Sequence, residues 1–131
     1  MATRNLVPRP VAMWGPVVAW MALIFVLSSR SRVPGLGRFP DFVTHGLGYL
    51  VLSFLVTRAL WPSRWSGSAR LLLAVTIATL YGVSDEVHQA LVPGRHPDPW
   101  DVGKDALGAV LGALAYPMLA AKQSPGEEPA P

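Results

Sequence analysis

The chain has no cysteine, so disulfides, thiolate nucleophiles and cysteine-bound metal centres are excluded from the start. It is also short of charge. Only 15% of its 131 residues are Asp, Glu, Lys or Arg, while 51% are hydrophobic, and the mean hydropathy is positive. A soluble domain of this size could not clothe its surface with so few polar groups, whereas lipid solvates apolar faces directly. The net charge of +3 comes from arginines scattered near the ends of apolar stretches. No basic run and no aromatics interleaved with cations are present, so nucleic acid is excluded as a partner and the bilayer is expected. Acidic residues are the scarcest charged class, and they are not spread evenly. Of eight, six fall at Asp41, Asp85, Glu86, Asp98, Asp101 and Asp105, and the other two lie near the C-terminus.

The apolar runs set the architecture. Residues 11–29 contain no charge, and at about 1.5 Å per residue such a helix covers roughly 28 Å, close to the hydrocarbon thickness of a bilayer. The adjoining S-R-S-R-V-P-G is not a small-x-small cleavage site, so this is read as a retained span, not a signal peptide. Further spans are expected over 42–61, 70–92 and 102–121. The lead, 1–10, and the tail, 122–131, are read as disordered, leaving 11–121 as one domain. The expected fold class is all-α, an integral membrane four-helix bundle with short loops. An alternative has three spans, with 102–121 on the membrane surface because of Lys104 and Asp105. Six basic residues (Arg4, Arg9, Arg58, Arg64, Arg70, Lys122) lie on the side of the termini and five (Arg30, Arg32, Arg38, Arg95, Lys104) on the other, which favours cytoplasmic termini.

Four spans in alternating directions bring the polar residues together. The loops after the first and third spans share a side, so Asp41, His45 and Tyr49 descend from the same surface as Asp85, Glu86, Gln89, Arg95, Asp101 and Asp105. At about 1.5 Å per residue, His45, Gln89 and Asp105 lie roughly 5 Å from the membrane edge, and Asp85 and Glu86 about 10 Å. That describes a shallow vestibule, not a path across the membrane. Asp41 and Asp101 each suit a helix N-cap. Asp101, Asp105, Gly108 and Gly112 form one stripe, and the small-x-x-x-small spacing of the two glycines allows close helix approach, either within the chain or in a homo-oligomer. Arg95 is the cation expected to form a bidentate pair with a vestibule carboxylate.

Two segments, S-D-E-V-H-Q-A-L-V-P-G-R and D-V-G-K-D-A-L-G-A-V-L-G, together with Asp41-x-x-x-His45-x-x-x-Tyr49, resemble the VanZ-like family of small bacterial membrane proteins. The resemblance covers about residues 15 to 118. Its pattern runs acidic-Glu-x-x-Gln, Pro-Gly-Arg, then Asp-x-x-x-Asn-x-x-Gly-x-x-x-Gly. Here Asp105 stands at the asparagine, and Phe42 where many relatives carry lysine. The resemblance implies a bacterial cell-envelope setting and a link to teicoplanin-type glycopeptide resistance. By position it singles out Asp41, His45, Glu86, Gln89, Arg95 and Asp101.

Three functions are compatible with these residues. One is a binding protein whose vestibule takes a lipid head group or an amphiphilic glycopeptide, through Asp41, His45, Tyr49, Asp85, Glu86, Gln89, Arg95, Asp101 and Asp105. The second is a membrane-embedded hydrolase or transferase acting on an envelope lipid, with His45 or Glu86 as general base; its metal-assisted variant uses Asp41, His45 and Glu86. No His-x-x-x-His or Gly-x-Ser-x-Gly is present, no cofactor motif is legible and none is expected. The third is a structural polar lock without a ligand. Transport is disfavoured, because the opposite half of every span is apolar.

Overall fold

The computed structural model describes residues 9–31 and 41–122, with the backbone alone at Asp41 and Phe42. Among the described residues there are four helices and no strand: α1 Arg9–Ser28, α2 Asp41–Leu60, α3 Gly67–Gln89 and α4 Pro99–Lys122. The readings of residues 1–8, 32–40 and 123–131 as lead, loop and tail lie outside the described residues. Arg9, Pro10 and Lys122 belong to helices and not to the expected flanks.

The helix boundaries obey capping chemistry that hydropathy does not record. α3 starts before its apolar run because the Ser66 hydroxyl accepts the Ala69 N–H at 3.2 Å. α4 starts at Pro99, not at Val102. Asp98 is the cap, its Oδ1 accepting from Trp100 N at 3.0 Å, and proline suits the first helical position because its missing N–H is not needed there. The expectation that Asp101 caps this helix is thereby corrected, and its carboxylate turns to the bundle instead. At the other end of α3 the helix stops at Gln89, short of the expected Val92. The chain turns through Val92-Pro93-Gly94-Arg95, closed by Arg95 N donating to Val92 O at 3.1 Å. Gly94 has φ +80°, the third-position conformation of a type II turn that glycine adopts without a Cβ clash.

The packing is that of a protein solvated by lipid. Large apolar side chains face outward, with Leu72 at 70% and Leu91 at 79% exposure, while the interior holds Ala74, Ala78, Ala109, Ala113, Ser53 and Thr57 around Leu52 and Val56. Small interior residues let helix backbones approach, and van der Waals contact replaces a hydrophobic driving force that lipid cannot supply. α1, α2 and α3 are each long and apolar enough to cross a membrane. α4 has the length, 24 residues, but carries Asp101, Lys104 and Asp105 in its first two turns.

α2 and α4 form the principal interface. They run parallel and in register: a Cβ on Gly108 would overlap the Gly46 carbonyl, and one on Gly112 the Leu50 carbonyl. Tyr116, one turn further along α4, sets its ring edge against Phe54 and Trp61 at centroid distances of 5.3 and 5.2 Å. α4 therefore tracks α2 along its length and does not lie across the bundle. The two glycines are occupied within one chain and cannot also serve a second copy, so the homo-oligomer expected through Gly108 and Gly112 would need another face.

Hydrogen bonds hold α1 to the rest. Trp20 Nε1 donates to Gly48 O at 2.9 Å, and Tyr81 Oη to Met21 O at 2.7 Å. Trp20 is thus an internal hydrogen-bond donor. Pro16 has no N–H for the carbonyl four residues before it, Ala12 O, and Arg58 Nη1 reaches that oxygen at 3.5 Å.

Gly112→Ala is expected to destabilise the purified protein by about 3 kcal/mol, since backbone must move to admit the methyl group. Gly103→Ala, whose Cβ meets nothing within 4 Å, should leave thermal unfolding in detergent unchanged or slightly raised. Equal losses in the two variants would contradict the close α2–α4 contact.

Candidate functional site

The α2–α4 contact puts His45, at the start of α2, against the acidic first turns of α4. His45 Nδ1 lies 3.2 Å from Asp105 Oδ1, and His45 Nε2 lies 3.7 Å from Asp101 Oδ2. Asp105 is enclosed, with 1% exposure. Room for it comes from α3, where a Cβ at Gly82 would stand 2.8 Å from Asp105 Oδ2. Gly82 was not legible as a site residue, because a single glycine in an apolar helix carries no pattern of its own.

α3 contributes the second half of the cluster. Asp85 is buried and satisfied on both oxygens: Ser28 Oγ donates to Oδ1 at 2.5 Å and Gln89 Nε2 to Oδ2 at 2.9 Å. Its neighbour Glu86 is buried as well, and its Oε2 accepts the Asp98 N–H at 3.0 Å. Glu86 Oε1, however, is enclosed and has no hydrogen-bond partner among the described residues. Nitrogen or oxygen atoms of His45, Glu86 and Asp101 all lie within 4.8 Å of one another.

The cations are arranged differently from the expectation. Lys104 bonds Asp101 Oδ1 across one helical turn. Arg95 forms no pair with a carboxylate among the described residues. Its Nε donates to Arg30 O at 3.2 Å, and Ser31 Oγ donates to Pro93 O at 2.6 Å, so the Pro-Gly-Arg turn is tied to the chain leaving α1. This bond sets Arg95 toward the chain leaving α1, which the linear spacing could not convey.

Of the nine residues expected to line a vestibule, His45, Glu86, Asp101 and Asp105 meet directly, with Asp85 and Gln89 beside them on α3. The side chain of Asp41 lies outside the described residues, although its backbone opens α2 one turn before His45. Tyr49 is one turn below His45, buried, with a hydroxyl that has no partner among the described residues and its ring 6.4 Å from that of Tyr81. Ser28 is an addition, with no feature marking it in the serine pair that ends the first apolar run. His88 stays outside the cluster, stacked on Phe25 at 4.4 Å with Nε2 2.9 Å from Ser29 Oγ.

The opposite end of the bundle differs in chemistry. There Arg70 stacks over Trp61 at 5.0 Å and donates to Ser63 O. An open groove of about 530 Å³ is lined by Trp65, Ser66, Ala69, Leu72, Leu73 and Thr76, and holds no acidic side chain. The two ends are thus acidic and basic respectively.

A family profile, VanZ/LLP1, matches residues 13–120, most of the chain. The chain belongs to the VanZ/LLP1 family. Comparison with curated proteins and with solved structures gives no match. The matched segment contains all four helices apart from their outermost residues, so the acidic cluster of this VanZ-like membrane protein lies wholly within the family's region.

Asp85→Ala, which orphans Ser28 and Gln89 together, is expected to cost about 2 kcal/mol, as fits the loss of hydrogen bonds to a buried charged group. Arg95→Ala should cost under about 1 kcal/mol, because its visible bond is to an exposed carbonyl. Thermal unfolding of the two purified variants decides the ranking, and the reverse order would restore the Arg95 ion pair.

Proposed function

We propose that this chain is a multi-pass protein of the bacterial cell membrane, with both termini cytoplasmic. In this reading its acidic cluster, at the outer face, binds the polar head group of an envelope lipid or of an amphiphile such as a teicoplanin-type glycopeptide. The observation that carries the reading is Glu86. A lock without a ligand accounts for Asp85, whose two oxygens are both filled from within the chain. It does not account for a neighbouring buried carboxylate with one oxygen left unpartnered beside His45 and Asp101. An unfilled acceptor in a low-dielectric setting is costly, and a ligand that supplies a donor or a positive charge removes that cost.

Placement near one face, with the other end basic and the middle apolar, favours recognition at a surface over passage through the bundle. A glycopeptide with an acyl chain, or a lipid, could lodge its tail against the exposed apolar faces of α3 and α4 while its head group meets the cluster. Membership of the VanZ/LLP1 family supports the envelope setting. The six-to-five distribution of basic residues supports the orientation.

A second reading is favoured by the His45–Asp105 contact, since a carboxylate that orients an imidazole also serves a general base. In that reading the protein is a hydrolase or transferase acting on the same lipid.

Envelope lipids and teicoplanin should each be tested for saturable stabilisation of the detergent-purified protein. Stabilisation is expected for the wild type and should fall at least about tenfold in apparent affinity for Glu86→Gln, which keeps the shape of the side chain while removing its charge. Equal stabilisation of the two proteins would refute the role of Glu86, and chemical conversion of the lipid would establish the enzymatic reading. Orientation is open to direct measurement because the chain has no cysteine of its own. In intact cells an impermeant maleimide should label His96→Cys and spare Trp65→Cys; the opposite pattern would invert the topology.

A further inference from the structure

The acidic cluster contains a constellation that a head group alone does not explain. Asp85, Glu86, Asp101 and Asp105 are all buried. Among the described residues, the cationic side chains in contact with them are Lys104 and, when protonated, His45. Lys104 bonds Asp101 Oδ1, and Asp101 Oδ2 lies on the side of His45. Envelope lipids carry phosphate, and a phosphate would be repelled by so many carboxylates unless a cation lay between.

We propose that His45, Glu86 and Asp101 hold a divalent transition-metal ion, Mn²⁺ or Zn²⁺, with Asp105 as the residue that positions His45. Two independent features support this. First, Glu86 is buried, at 8% exposure, and among the described residues its Oε1 has no partner, while its other oxygen is fixed by the Asp98 N–H. Its carboxylate is thus held in place by the start of α4, with one lone-pair face unused. Second, Asp105 Oδ1 takes His45 Nδ1, which directs Nε2 toward Asp101 Oδ2, and a Glu86 carboxylate oxygen belongs to the same cluster of donors. Carboxylate–histidine–metal relays have this form: the outer carboxylate fixes the tautomer and raises the basicity of the ligating nitrogen. One imidazole and two carboxylates suit Zn²⁺ or Mn²⁺ better than softer ions.

The donor atoms, within 4.8 Å of one another, need to move inward by less than about 1 Å each to reach a common centre at about 2.1 Å. Three protein ligands leave coordination positions open, and a head-group phosphate oxygen is the anion that fits there. The inference deepens the binding role assigned above and rests on it for the identity of the outer ligand, but not for the ion itself.

The test uses full-length protein stripped of metal in detergent and titrated with Mn²⁺ or Zn²⁺ alone. One equivalent should bind per chain, with a rise in melting temperature. Pulsed electron paramagnetic resonance of the Mn²⁺ form should show coupling to an imidazole nitrogen that disappears in His45→Gln. Glu86→Gln should abolish saturable binding. Asp105→Asn should weaken it about 10–100-fold while retaining the nitrogen coupling, an effect a purely structural role would not produce. Wild-type protein without a saturable site, or without the imidazole signal, overturns the proposal whatever the variants do. If lipid stabilisation persists in the stripped protein while metal binding is absent, the cation falls and the head-group reading stands. If both are absent, both fall.

Discussion

Everything at the acidic end depends on the contact between the backbones of α2 and α4. Gly108 and Gly112 meet the carbonyls of Gly46 and Leu50 with no side chain between them. Parallel helices held that closely must also be held in register, so the position of His45 on α2 is set relative to Asp101 and Asp105 on α4. A side chain at either glycine would separate the helices and move the imidazole out of reach of both carboxylates. The glycine stripe and the acidic stripe are therefore one device: the first supplies the distance that the second needs.

The third helix completes the site from the other side, and again by small residues and spent hydrogen bonds. Gly82 leaves the volume that Asp105 fills, and Asp85 is consumed by Ser28 and Gln89. Asp85 and Glu86 are neighbours in the chain with different fates. Asp85 joins α1 to α3 with a hydrogen bond on each oxygen, whereas Glu86 is braced by the Asp98 N–H at the α4 cap and, among the described residues, retains an oxygen without a partner. Burial of a carboxylate in a membrane-spanning bundle is costly enough that such an asymmetry needs a reason. A ligand on the Glu86 side supplies one.

Much of this was legible in the residues alone. Long uncharged runs of spanning length predict helices because each backbone group must bond internally in lipid. The number of helices, their alternation and the end at which polar residues gather are all consequences of that. Capping was less legible: Asp98 and Asp101 are both acceptable acceptors near the start of α4, and the choice depends on which N–H each can reach. Arg95 was the largest departure. It follows Pro-Gly in the sequence, between Glu86 and Asp98, yet its Nε donates to Arg30 O, a partner 65 positions away.

The sequence by itself determined an all-helical, lipid-solvated chain with six of its eight acids gathered toward one end, because hydropathy and charge placement act through spacing along a single helix. Only the tertiary structure decided which acids are filled and which is not. Ser28 on Asp85, Asp105 on His45, and the unpartnered oxygen of Glu86 are relations between helices, set by rotation about each axis and by the few tenths of an ångström that separate a packed backbone from a collision. Spacing along one chain contains no record of either.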